Sequence, residues 1–371
     1  MSDQDTRLDD PMSRRTMMKG LAALALTIIG AGCASSGSSS TITPTPTATP
    51  LRPGSIIYTY KGHSDQVLTV AWSPAGNRIA SGSRDKTVQV WDAFSSKHAQ
   101  VYRGHTNAVA SVAWSPDSKY IASASWDRTV QVWNASTGEP FFTYCGHSAQ
   151  VMSVVWSSDG KYVASGSTDK SVQVWNALTG SVLFPYHGHT GGVTVVAWSP
   201  DGKYIASGST DKSVQIWDAA TGKRVFTYHG HTDEITAISW SPDSRYIASG
   251  SVDKSVQTWD VSTGRVLYTY RGYNVEQARS NPTKGVLPDL IYAVAWSHNG
   301  KRIAAVTQVY CGDDCGVLLT WDALTEAHFT FYPTAPMYAL AWSPDDRYFV
   351  TAVSPGGDVS GGMPVVQILQ V

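Results

Sequence analysis

From Val67 onward, short apolar runs alternate with small polar clusters, and that rhythm predicts β-structure. Val67-Leu-Thr-Val-Ala-Trp72 is apolar and β-branched, and Ser73-Pro74-Ala75-Gly76 interrupts it. Arg78-Ile-Ala-Ser81 resumes the apolar character, and Arg84-Asp85-Lys86 marks a tight turn. Thr87-Val-Gln-Val-Trp91 then alternates with period two, and Ala99-Gln-Val-Tyr102 supplies a fourth run. Runs this brief, bounded by turn formers, read as antiparallel strands.

The set of four repeats. Gly62-His63, Gly104-His105, Gly146-His147, Gly188-His189 and Gly230-His231 stand 42 residues apart. Each His is followed 22 residues later by Asp, and that Asp 6 residues later by Trp. A fixed period of this size indicates a solenoid, propeller or array. The Gly-His dipeptide and the Trp-Asp endings at Trp91-Asp92, Trp217-Asp218, Trp259-Asp260 and Trp321-Asp322 resemble the WD40 repeat family. Trp133-Asn134 and Trp175-Asn176 are close variants. The resemblance covers about Ser55 to Val371 and implies an all-β propeller with four antiparallel strands per blade.

First-strand tryptophans at Trp72, Trp114, Trp156, Trp198, Trp240, Trp296 and Trp342 predict seven blades. Leu369 takes the third-strand place in blade seven, which lacks a fourth strand of its own. Ser55-Ile-Ile-Tyr-Thr-Tyr60 matches the fourth-strand pattern, so it is expected to pair with the last blade and close the ring. Closure leaves no blade incomplete.

The resemblance also implies a buried hydrogen-bonded tetrad in each of five blades. These are His63, Ser81, Asp85 and Trp91; His105, Ser123, Asp127 and Trp133; His147, Ser165, Asp169 and Trp175; His189, Ser207, Asp211 and Trp217; and His231, Ser249, Asp253 and Trp259. Trp only donates and ionised Asp only accepts, while Ser and His do both, so the four can satisfy one another. His, Asp and Ser together suggest a catalytic triad, but five copies on scaffold positions favour structure. No catalytic residue, cofactor or metal is expected.

Blades six and seven depart from the pattern. Tyr273 replaces the His, Ala305 the Ser, and Pro333 stands at the His position of blade seven. Tyr273 to Trp296 spans 23 residues against 9 from His63 to Trp72. Trp296 to Trp321 spans 25, and Trp342 to Leu369 spans 27, against 19 from Trp72 to Trp91. In this family all three longer connections emerge on one face, called the top. They read either as a partner site or as drift in decayed repeats. Trp126 is the one tryptophan of 14 that the repeat does not use. It and its counterparts Arg84, Thr168, Thr210 and Val252 are candidate top-face binding residues. Trp126 reads either as a binding anchor or as a ring lying flat on a neighbouring loop.

Composition adds bounds. Hydrophobic residues make up 42% and charged residues 15% of 371, with a net charge of −1. That is a folded profile without the basic excess or stripe of a nucleic-acid binder. Ser13-Arg14-Arg15-Thr16-Met17-Met18-Lys19, followed by the apolar run Leu21 to Ile29, resembles a twin-arginine export signal. Ile29-Gly30-Ala31-Gly32-Cys33 resembles a lipobox, which implies lipidation at Cys33 and a protein held on the outer side of a membrane. An ordinary signal with an incidental cysteine, an uncleaved anchor and a secreted protein are the alternatives. Residues 34–54 are rich in Ser, Thr and Pro and read as an unstructured linker before a propeller over 55–371. Cys311 and Cys315 read as a disulfide stapling the blade-six insertion, as free thiols, or as metal ligands.

The leading expectation is a monomeric, non-catalytic propeller that binds protein partners. A receptor for a small ligand or extracellular polymer, and a propeller enzyme, compete with it.

Overall fold

The computed structural model describes residues 52–95, 97–271, 288–309, 315–325, 327–353 and 363–371. The expected export signal, Cys33, Tyr273, Cys311 and most of the inserted segments lie outside the described residues.

Seven four-stranded antiparallel sheets form the blades of a ring. Blade one runs through Val67–Trp72, Arg78–Ser83, Val88–Asp92 and Gln100–Tyr102, so the expected strands fall within two residues of their places. Blades two to five repeat this order, beginning at Val109, Val151, Val193 and Ile235. Burial decreases outward within each blade. In blade two the six first-strand residues are all buried, whereas the fourth strand, Pro140–Tyr144, is mostly exposed until Tyr144. Neighbouring first strands touch one another, and Met337–Trp342 of blade seven touches Val67–Trp72 of blade one. Indole donors reinforce several of these junctions: Trp114 Nε1 donates to Ala71 O at 3.2 Å, and Trp342 Nε1 to Ala295 O at 3.1 Å.

Ring closure follows the sequence expectation. Ile56–Tyr60 pairs antiparallel with Val365–Gln370 and becomes the outermost strand of blade seven. Leu369 faces Phe349 as Trp91 faces Ile79, so it occupies the third-strand tryptophan's place.

Outer strands lock to the following blade through a ring on a glycine. Phe142 covers Gly180, whose φ is +67° and where an added Cβ would fall on the phenyl ring. Both conditions require glycine.

Blade six corrects two expectations. Its strands lengthen to Pro288–Trp296, Arg302–Val309 and Cys315–Asp322, with Val309 opposite Cys315. Part of the added sequence therefore extends the hairpin instead of forming loop, and Cys315 lies in a strand rather than in the inserted loop. Pro333 likewise lies within the fourth strand, Thr330–Thr334, opposite Val317. The connection from Tyr332 to Met337 is two residues shorter than that from Tyr60 to Val67, and counting back from Trp342 had placed Pro333 at the His position.

Candidate functional site

The repeated polar residues converge below the top connections. In five blades His Nδ1 lies 2.8–2.9 Å from Asp Oδ2. His Nε2 lies 2.6–2.9 Å from Ser Oγ. Asp can only accept, so Nδ1 carries the proton towards it and Nε2 accepts from the serine hydroxyl. The second oxygen of Asp85 accepts from the Thr87 hydroxyl at 2.6 Å and from the Thr87 N–H at 2.9 Å. The first also accepts the Ser64 N–H at 3.0 Å, which ties the incoming loop to the turn. Thr129, Ser171, Ser213 and Ser255 repeat the hydroxyl contact. Burial alone would push these carboxyls up. Hydrogen bonds from His and from the neighbouring hydroxyl outweigh it and hold all five far below the usual carboxylate range.

The tryptophans correct the expected tetrad. Only Trp259 donates to its serine, Ser249, at 3.1 Å. The indole N–H groups of Trp91, Trp133, Trp175 and Trp217 are buried without a hydrogen-bond partner. Stacking sets the plane of these rings instead. Tyr60 lies on Trp91 with centroids 3.8 Å apart, and Tyr102, Tyr144, Tyr186 and Tyr228 stack likewise on Trp133, Trp175, Trp217 and Trp259.

That tyrosine belongs to a second network that the sequence reading missed. Tyr60 donates to Gln89 Oε1 at 2.8 Å, and Gln89 Nε2 donates to Gly62 O at 3.0 Å. Tyr–Gln bonds recur at Tyr102–Gln131, Tyr144–Gln173, Tyr186–Gln215 and Tyr228–Gln257. Burial first, and then the charge of Asp169 or Asp253, pushes the hydroxyls of Tyr144 and Tyr228 up to about 12. The 42-residue recurrence of Tyr and Gln was visible; their contact across a blade boundary was not. Blade six carries Leu319 and Ala305, both buried, where blade one has Gln89 and Ser81. Thr351 holds the serine's place in blade seven, and its buried hydroxyl has no partner.

On the top face, the five variable positions stand at equivalent turns. The N–H groups of Arg84, Trp126, Thr168, Thr210 and Val252 donate to Gln66, Ala108, Gln150, Gly192 and Glu234 carbonyls at 2.9–3.0 Å. Thr168 is exposed and the other four are partly buried. Trp126 lies against Leu68 and Ala108, with the Arg84 guanidinium 5.7 Å from its ring centroid. Trp126 Nε1 and Arg84 Nε have no hydrogen-bond partner. The same turns expose Lys86, Arg128, Lys170, Lys212 and Lys254, each at φ between +70° and +75°. One face thus carries a cation from each of five blades, although the chain's charges nearly cancel. Among the described residues, no group of three or more His, Cys, Asp or Glu could hold a metal.

The family model for the WD domain, G-beta repeat, matches residues 54–92, 96–134, 138–176, 180–218 and 222–260. This chain belongs to the WD40 repeat family. WD40 propellers are typically non-catalytic scaffolds and generally bind protein partners. Single repeats also align with individual WD40-type relatives. A stretch of 37 residues is 54% identical to vegetative incompatibility protein HET-E-1 of Podospora anserina, covering 10% of this chain and 3% of that protein. Another of 38 residues is 47% identical to cell division cycle 20.4, cofactor of APC complex, of Arabidopsis thaliana, covering 10% and 9%. A third of 45 residues is 53% identical to protein transport protein sec13 of Emericella nidulans, covering 11% and 15%. The matched part spans no more than 15% of any of these three relatives.

Proposed function

We propose that this WD40 protein is a non-catalytic, monomeric platform that captures a protein partner on its top face and works outside the cell, tethered through Cys33. The observation that carries the binding surface is the Arg84–Trp126 pair. It is non-repeating and half-buried, and it lies beside a ring of five exposed cations. Exposed cations beside an aromatic ring favour a partner that presents carboxylates. The His–Asp–Ser sets are absorbed in holding loops, which argues against an enzymatic reading of them. Named relatives act in an APC complex and in protein transport, which accords with a role in assembling proteins. The export motif and the linker over 34–54 support the tether.

Affinity capture with the full chain tests the surface. Trp126→Ala, Arg84→Ala and a deletion of 274–287 are compared with wild type, the deletion stopping short of the strand that starts at Pro288. Partners retained by all three variants refute the top-face site. Mass spectrometry of the mature N-terminus tests the tether: a diacylated Cys33 supports it, and an intact or differently cleaved N-terminus refutes it.

A further inference from the structure

The underside of the ring contains its own internal comparison. There, neighbouring blades meet in a notch that includes the later blade's first-strand tryptophan. Between blades one and two, Arg78 fills the notch. Its Nη2 donates to Ala135 O at 2.6 Å and its Nη1 to Ser136 Oγ at 3.1 Å, with the guanidinium carbon 5.5 Å from the Trp114 ring centroid. Between blades five and six, Tyr246 stacks on Trp296 at 6.4 Å. Between blades seven and one, Phe94 lies 6.0 Å from Trp72 and 5.2 Å from Tyr348, and a smaller crevice of about 310 Å³ remains beside them.

The notch between blades two and three is left open. Tyr120 stands in Arg78's place but leans on Phe141, with centroids 5.5 Å apart. A crevice of about 440 Å³ remains, lined in part by Trp156, Ala177 and Leu178. These occupy the positions of Trp114, Ala135 and Ser136, and the backbone matches: Ala177 N donates to Lys161 O at 2.9 Å as Ala135 N does to Lys119 O. Leu178 is 69% exposed and Phe141 47%. Asp117 and Asp159 border the crevice, each beside a lysine: Asp117 pairs with Lys119 at 3.4 Å and Asp159 with Lys161 at 3.3 Å.

We propose that this crevice binds an arginine side chain presented by a protein partner. The guanidinium takes the place that Arg78 takes one blade earlier: against Trp156, at the Ala177 carbonyl, with Asp117 and Asp159 on the rim. Arginine suits it better than lysine, because a flat, weakly hydrated cation stacks and forks where a compact ammonium does neither. The site lies on the opposite face from Arg84 and Trp126 and does not depend on the top-face reading.

The test is fluorine NMR of the full chain labelled with 5-fluorotryptophan, the Trp156 signal being assigned by its loss in Trp156→Phe. N-acetyl-arginine amide is titrated beside its lysine and phenylalanine counterparts. One side chain in such a site binds in the millimolar range, on the order of 1–10 mM. The Trp156 signal is expected to shift saturably with the arginine probe, and at least about fivefold more weakly with lysine. Tyr120→Arg should abolish the response by filling the crevice from within. Leu178→Arg, at an exposed position, makes the same demand should Tyr120→Arg not fold. No saturable shift, an equal response to lysine or phenylalanine, or an undiminished response in the folded arginine variant overturns the proposal.

Discussion

Asp169 accepts bonds from His147, the Ser148 N–H, the Ser171 hydroxyl and the Ser171 N–H. Asp169→Ala is expected to cost about 3 kcal/mol, because it strands several buried or half-buried donors at once. Chemical denaturation measures this, and an unchanged midpoint would contradict the assigned role. The missed tyrosine network calls for a mutant cycle. Gln215→Leu leaves the Tyr186 hydroxyl without its acceptor and is expected to cost about 1–2 kcal/mol. Adding Tyr186→Phe should recover part of that loss, giving a measurable coupling energy. Blade six already carries leucine at that position, as Leu319. At this scale the identities and the His–Ser–Asp partners were legible in the sequence, and the partners of the tryptophan and the tyrosine were not. Spacing located His147, Ser165 and Asp169, but whether Trp175 donates a hydrogen bond or only stacks depends on where Tyr144 of the previous blade lies.

The strand Ile56–Tyr60 is the element on which the ring's integrity rests, since it supplies the fourth strand of blade seven and the tyrosine that stacks on Trp91 of blade one. Deleting residues 52–60 exposes the edge of Val365–Gln370 and uncovers Trp91, so a lower and broader thermal transition with concentration-dependent aggregation is expected. Differential scanning calorimetry with light scattering checks both outcomes, and a deletion that melts like the full chain refutes the clasp. This element was fully readable from the unmatched strand at each end of the repeat. The strand extensions of blade six were not, because added length alone does not distinguish a longer hairpin from a longer loop. Pro333 was misplaced for a related reason: counting back from Trp342 assumes a connection of constant length.

For the whole molecule, the five depressed aspartates act together. In the unfolded chain their carboxyls take up protons near pH 4, roughly the ordinary value. In the folded chain they remain ionised to much lower pH, so below that point the unfolded state binds more protons. Stability is therefore complete above about pH 5 and falls steeply as pH drops below about 4, with five groups contributing to the slope. Urea midpoints taken between about pH 6 and about pH 3 measure this, and a level profile would refute it. Clasp closure has a mechanical consequence as well. Any load entering through the N-terminal segment reaches the fold at Gly54, whose N–H donates to Gln370 O at 2.8 Å, and passes into a strand paired antiparallel to Val365–Gln370. The cross-strand bonds then bear the force together, in shear. The blade that gives way first is the one whose opening also uncovers blade one, so the propeller should resist pulling at its N-terminus up to a threshold and then release as a ring.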